Sequence, residues 1–439
     1  MSQTQEYNTI PYIALPQDYP TRLGPFLAEM YERHGPIFRA NTYGGEVIYL
    51  VGPEANRFVM VSNRQKFSHH EGWGRFFGVV DLFGDGLLTM DGKEHDQHRR
   101  MMNPAFAVGY MSHYLPLMNR IIRERTATWV DQGKVDIYDE ARKITFDVAA
   151  EALAGLNDSA ERDHFRELFF GLLRGPEIVT SEEDFYRWRR GLQREVTDLL
   201  RPKIEERRAH PTDDLFSMLV QARDDQGNVM SDEQLIAHFN ILMVAGHETS
   251  TSLSAWLLYL LTQHPDYTQR ILDEQNTLLR DDEEPTLETV KQMKVLDNAL
   301  SEAERLYPPV ANGPRGVFEE FEFHGHRVHV GAHVLYSIAA SHLIPSIFAN
   351  PTSFDPDRFA PPREEQKKTP YALVGFGGGP RICIGINFAQ IEIKALVSHV
   401  LRHYSLNVVP GQQIAQYYEV TGSPMHGIKM RVSERKPLS

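Results

Sequence analysis

The chain has 439 residues, 41% of them hydrophobic, and a formal net charge of −13 at pH 7. That charge argues against nucleic acid or an anionic membrane as a general partner, and no stretch approaches the ~20 consecutive apolar residues of a membrane span. A single cysteine, Cys383, rules out an internal disulfide, a structural zinc site and a four-cysteine iron–sulfur cluster. Length alone would suggest two or three domains at roughly 150 residues each. No linker, low-complexity run or repeat divides the chain, so one mainly helical unit over residues 1–439 is expected. Met1 to Tyr7 lacks the basic-then-apolar pattern of a signal peptide. A soluble, cytoplasmic protein is the expectation, and the lone cysteine agrees with a reducing compartment.

Leu23 to His34 has the spacing of an amphipathic helix, and Ile37 to Arg39 with Glu46 to Val51 around Gly44-Gly45 predicts a short hairpin. Phe67 to Leu88 is loop-like and aromatic, with Trp73, Phe76, Phe77 and Phe83 interleaved with glycines. By itself it reads as a locally packed surface loop. Asp91 opens a helix that should stop near Asn103-Pro104, and His95 and Arg99, four apart, share one face of it. His98 and Arg100 lie on other faces and read as solvated. Helices are then expected over Met111 to Asp131, Asp139 to Leu156, Ala160 to Leu173 and Glu182 to Ala209, with a break at Gly175-Pro176. The arginine run Arg187, Arg189, Arg190 and Arg194 reads as a solvated face.

Ser231-Asp232-Glu233-Gln234 is a capping-box start for a helix that continues without proline to His264. At ~1.5 Å per residue such a helix crosses ~50 Å, the width of a protein this size. Gly246, inside Ala245-Gly246-His247-Glu248-Thr249-Ser250, costs ~1 kcal/mol relative to alanine. Small side chains there permit close approach of a flat ligand, and the Thr249 hydroxyl is expected to bond the Ala245 carbonyl one turn back. His247 reads as a packing or surface histidine.

Glu302 and Arg305 face each other near the end of a helix stopped by Pro308-Pro309, and Pro356-Asp357-Arg358-Phe359 supplies a second arginine. Arg315 precedes a strand-like stretch from Phe321 to Val330. Phe376-Gly377-Gly378-Gly379-Pro380-Arg381-Ile382-Cys383-Ile384-Gly385 folds tightly on its glycines and presents Cys383 just before a helix over Ile386 to Leu401, whose positive end favours ionised sulfur. Leu406 to Val432 reads as short strands. Their turn at Thr421-Gly422-Ser423-Pro424 either reaches the interior or forms a plain surface hairpin.

The cysteine stretch matches Phe-x-x-Gly-x-Arg-x-Cys-x-Gly and resembles the haem-thiolate loop of the cytochrome P-450 superfamily. The central Ala245–Ser250 stretch, the Glu302/Arg305 pair and the Arg358 segment resemble that family's other signatures, in order, so the resemblance covers about Leu23 to Val432. It implies a mainly α fold with a small β region, a triangular helical prism with haem between the central helix and the cysteine loop. It implies haem b with Cys383 as axial thiolate, Phe376 shielding the sulfur, and Arg381, Arg315, His95 and Arg99 on the propionates through charge-assisted hydrogen bonds. Ala245 and Gly246 would lie against the haem. Activating dioxygen needs protons but no bulk water, which assigns Thr249 to hold the distal oxygen and ordered water and Glu248 to relay protons. Glu302, Arg305 and Arg358 would position the cysteine loop. For Phe67 to Leu88 the resemblance implies a loop over an apolar substrate pocket. Ser341-His342-Leu343-Ile344-Pro345 departs from the family's usual polar pattern and puts local loop contacts in doubt.

The implied activity is monooxygenation of a lipophilic small molecule such as a fatty acid, terpenoid or steroid. Electrons would come from a separate ferredoxin or flavodoxin with an NAD(P)H-dependent reductase, since the chain carries no flavin or iron–sulfur module. Lys93, Arg100 and Lys394 are candidates for the basic patch such a partner needs. A monomer without a membrane anchor is expected. The alternatives are a peroxide-dependent enzyme of the same fold, against which the Glu248-Thr249 pair speaks, and a haem sensor or carrier without turnover.

Overall fold

The computed structural model describes residues 9–42, 44–174, 181–280, 283–418 and 421–435. Its axis is the helix Asp232–Gln263, 32 residues long, with the Ser231–Gln234 capping box formed as the sequence predicts. Its buried residues run almost all round, which a helix achieves only when neighbours enclose it. The helix Ile137–Ala154 packs along it, as do the cysteine helix Ile386–His403 and the helix Lys294–Leu306. Their apolar faces make one large core.

Two smaller cores flank a five-stranded sheet ordered Ile37–Thr42, Gly45–Val51, His333–Ser337, Asn312–Val317 and Phe67–Ser68. Gly45–Val51 pairs in parallel with His333–Ser337, and the other pairs are antiparallel. A three-stranded sheet joins Lys134–Asp136, Lys429–Glu434 and Tyr404–Val408. The architecture is the expected mainly helical one. Among the described residues no helix is long and apolar enough to cross a membrane.

Several local expectations change. Phe67 to Leu88 is not a loop: it contains a strand, a helical segment His70–Phe76 and a helix Val79–Phe83. Glycine-rich sequence hides helical turns that tertiary contacts impose. Phe321 to Val330 is not one strand but a hairpin, Phe321–Phe323 against His326–Val328, because His324 and Gly325 turn with positive φ. Met111 to Asp131 divides into Met111–Thr126 and Trp129–Gln132. The expected break at Gly175-Pro176 and the Met1–Tyr7 segment lie outside the described residues.

The cluster behind the cysteine loop is buried completely. Arg305 donates to both oxygens of Glu302 at 2.7 and 2.8 Å, and Arg358 donates to Glu302 at 3.1 Å. Remaining donors of Arg305 reach the carbonyls of His342 and Pro351, and Arg358 reaches Glu365. His342 in turn accepts the Val374 N–H at 2.9 Å, two residues before Phe376. The unusual Ser341–Pro345 stretch therefore supplies a loop contact of its own. A Cβ on Gly375 would clash with the Glu304 carboxylate, so glycine is required at that approach. Glu302→Gln leaves buried Arg305 without its carboxylate and Arg358 with Glu365 alone, and should cost about 3–5 kcal/mol. Urea unfolding followed by tryptophan fluorescence measures it, and a loss below about 1 kcal/mol would contradict the cluster's structural weight.

Candidate functional site

The cysteine loop is closed by its own backbone. The Cys383 N–H donates to Phe376 O at 2.9 Å and the Ile382 N–H to Gly379 O at 3.1 Å. Gly379 has φ +62°, and a Cβ there would come within 2.8 Å of Met60 O, so the chain passes where only glycine fits. Phe376 is half-buried. The Cys383 surface is accessible, yet surrounding protein removes enough solvation to raise the thiol pKa. The two observations agree for a sulfur lining an interior space. The Gly385 N–H and the Arg99 charge oppose the rise without overcoming it. The helix end favours ionised sulfur but is outweighed by burial, and a cation bound at the sulfur would act in the same direction as the helix end.

On the central helix, Ala245 is exposed and Gly246 and Thr249 are half-exposed, while His247, Glu248 and Ser250 beside them are buried. A Cβ at Gly246 would meet nothing within 4 Å. Thr249 Oγ1 donates to Ala245 O at 2.7 Å, the expected bond. This face of the helix leaves open space beside its small side chains.

Glu248 points elsewhere. Its carboxylate accepts from Arg142 Nε at 2.9 Å and Tyr138 Oη at 3.3 Å and lies 3.2 Å from His247 Nε2. Burial would raise its pKa, but bonds and charge from His247 and Arg142 outweigh this and bring it to about 2. The structure separates Glu248 from Thr249 by turning it toward the helix Ile137–Ala154. Sequence reasoning missed Arg142 and Tyr138, since an arginine on an amphipathic helix carries no sign of its distant partner. The Thr421–Pro424 turn comes to the same region. Gly422 O accepts from Ser252 Oγ and Trp256 Nε1 at 2.8 and 2.9 Å, which excludes a surface hairpin.

His95, Arg315 and Arg381 converge with a residue the sequence did not single out, His69. Arg315 is buried, bonded to Pro314 O and set 5.1 Å above the Tyr336 ring. Arg381 donates to Met90 O at 2.7 Å and lies 3.6 Å from Asp91. Burial, then the charges of Arg315, Arg381 and His95, push the His69 pKa well down, and its buried Nδ1 has no partner. Burial and then Arg381 lower His95 to about 4, against the opposing Asp96. Burial lowers Arg381 to about 10. Asp96 lies 3.0 Å from His95 Nδ1, and Asp91, the carboxylate beside Arg381, already accepts from Ser68 Oγ and the His69 and His70 N–H groups. With His69 and His95 neutral, the buried positive charge is that of Arg315 and Arg381, and two guanidiniums beside a single carboxylate fit an anionic ligand bearing carboxylates. Arg99 differs: it donates to Ile382 O at 2.6 Å and Asn103 at 2.9 Å, strapping the cysteine loop, and a carboxylate would have to share its remaining donors.

A family model described as Cytochrome P-450 matches residues 9–431. The chain belongs to the cytochrome P-450 family. It is 32% identical over 94% of its length, and 85% of the other chain, to a putative cytochrome P-450 136 of Mycobacterium tuberculosis. A sterol 14alpha-demethylase of Mycolicibacterium vanbaalenii is 29% identical over 83% of this chain and 82% of its own. The solved structure of retinoic acid bound cyanobacterial CYP120A1 superposes with a TM-score of 0.84 at 30% identity, covering 97% and 99% of the two chains. This P-450 is therefore an oxidoreductase of the monooxygenase class, with haem-thiolate iron as its family cofactor.

Its stability should depend on pH in two opposed ways. Burial first of all holds His238, His342 and His399 at about 3 and His95 at about 4, so their contribution is full above an ordinary pKa of 6.5 and lost as pH falls. Glu304 and Glu392, raised to about 8 chiefly by burial, contribute fully below 4.5 and lose that contribution as pH rises through 8. The histidines outnumber the carboxyls. Thermal unfolding should show a maximum near about pH 6.5 with the steeper fall on the acid side; rising stability from pH 6.5 to 5 would contradict the placement of these rings.

Proposed function

We propose that this P-450 inserts one atom of dioxygen into a lipophilic small molecule, using haem b ligated by Cys383. The observation that carries this reading is the accessible, protein-enclosed thiol together with the buried guanidiniums of Arg315 and Arg381, set beside the neutral rings of His69 and His95 and facing one carboxylate, Asp91. A haem iron held through the Cys383 thiolate would supply O–O cleavage and oxidation of unreactive bonds. Arg315, Arg381 and His95 would hold the propionates, with His69 beside them, and Arg99 holds the loop and would share in them. Phe376 shields the sulfur, and Ala245 and Gly246 lie against the macrocycle. A sterol-metabolising relative and a neighbour solved with retinoic acid support an apolar substrate such as a fatty acid, terpenoid or steroid.

Thr249 Oγ1 holds its proton on the Ala245 carbonyl at the open face of the central helix. Glu248 is held as a carboxylate by Arg142, so it passes a proton inward only by exchanging that partner for water on the Thr249 side. The whole chain acts as one cytoplasmic, monomeric domain and receives electrons from a separate ferredoxin or flavodoxin with its NAD(P)H-dependent reductase. Exposed Ile382 beside Arg99 offers the docking point, with Lys93 exposed nearby in sequence to Arg99. Lys394, expected in that patch, is buried against Asp297 at 2.9 Å because the cysteine helix turns it inward, and Arg100 is paired with Asp225.

Cys383→Ala should abolish the reduced carbon-monoxide spectrum of a thiolate haem; its retention overturns the ligand assignment. With a substrate found by its low- to high-spin shift, Thr249→Ala should keep consuming reductant while product falls, and Glu248→Gln should lower kcat about 10²-fold. Product formed with hydrogen peroxide alone, and none with an electron-transfer system, would establish the peroxide-dependent alternative. Binding without oxygen consumption would establish a sensor or carrier.

A further inference from the structure

His98, expected to be solvated, is instead buried beside His238 of the central helix. The segment joining the helix Val79–Phe83 to the helix Gly92–Met102 lies directly on the central helix. A Cβ on Gly84 would meet Ala237 Cβ at 2.9 Å, and one on Gly86 would meet Ile241 Cδ1 at 2.9 Å. At that contact the Leu87 N–H donates to His238 Nδ1 at 3.1 Å, and His238 Nε2 lies 2.6 Å from His98 Nδ1. An amide can only donate, so His238 Nδ1 is the acceptor and the ring proton sits on Nε2. That proton must point at His98 Nδ1, which places the His98 proton on its Nε2. Only one arrangement of protons satisfies the chain, and both rings are neutral in it. Burial, which lowers the pKa of each, keeps them so.

The other edge of the same segment serves the basic cluster. Met90 O and Leu87 O accept from Arg381 at 2.7 and 3.5 Å, and the Leu88 backbone bonds His69. Leu87 to Met90 is thus held from one side by His238 and from the other by Arg381 and His69. We propose that His238, its tautomer set by His98, is a positioning residue for the haem propionate site, acting through Leu87–Met90 on Arg381 and His69. The proposal rests on the haem reading above and adds to it a coupling between the central helix and the propionate end of the cofactor.

The haem-loaded full chain tests it by haem loss to an excess of a haem-scavenging globin and by amide hydrogen exchange of residues 84–90. His238→Leu leaves the Leu87 N–H unpaired and should raise the rate of haem loss about tenfold, with faster exchange confined to that segment. His238→Asn sets a carboxamide oxygen near the Nδ1 position and should stay within about twofold of the parent. His238→Gln reaches toward His98 but leaves Leu87 unpaired, and should resemble the leucine variant. Rescue by asparagine and not by glutamine is the expected result. Equal haem loss in those two variants overturns the proposal, and this comparison decides even where His238→Leu does not fold. If the unsubstituted chain binds no haem, the haem reading itself falls and this proposal with it; haem retained alike by parent and variants removes this proposal alone.

Discussion

Buried positive charge without enough negative charge is the condition around which this molecule is arranged. Arg315 and Arg381 are buried beside His69 and His95, whose rings burial and the neighbouring guanidiniums keep neutral, and Asp91 is already committed to Ser68 and to two backbone N–H groups. Such an assembly is costly unless a dianion completes it. The cysteine loop answers the same ligand from a different element, and the two are mechanically joined: Arg381 belongs to the loop, while Arg99, from the helix bearing His95, bonds the carbonyl next to Cys383.

Behind the cysteine loop buried charges are paired with one another, and there they build scaffold. Glu302 is shared by Arg305 and Arg358, and their spare donors reach backbone carbonyls from His342 to Ser353. Glu248 lies between these cases. Its carboxylate is satisfied by Arg142, Tyr138 and His247, so a proton path through it is a matter of exchanging partners rather than of a free acid standing at the surface.

The local signals most legible in the chain were those that concern a backbone or its immediate neighbours. The capping box at Ser231, the Thr249–Ala245 bond one turn apart and the glycine turn around Cys383 are contacts within a few residues, and each is present. The aromatic segment Phe67 to Leu88 was misread as loop because its helical turns depend on packing against the sheet and the central helix, with Gly72 pressed to the Pro314 backbone. Lys394 and His98 were misread as solvated for a related reason: charge or polarity in a residue does not say which way its helix will turn it.

By itself the sequence determined the chemistry on offer: one sulfur in a loop that must present it, a long central helix with a small-residue gap, and a cluster of charges in family order. These follow from composition, covalent geometry and spacing, all of which are local. The tertiary structure alone decided which charges are balanced. His69 became part of the basic cluster, Arg142 captured Glu248, and His238 met His98 across 140 positions of chain. Such pairings are set by how helices cross in three dimensions, and a neutral imidazole or a lone arginine carries no mark of the partner that packing will bring to it.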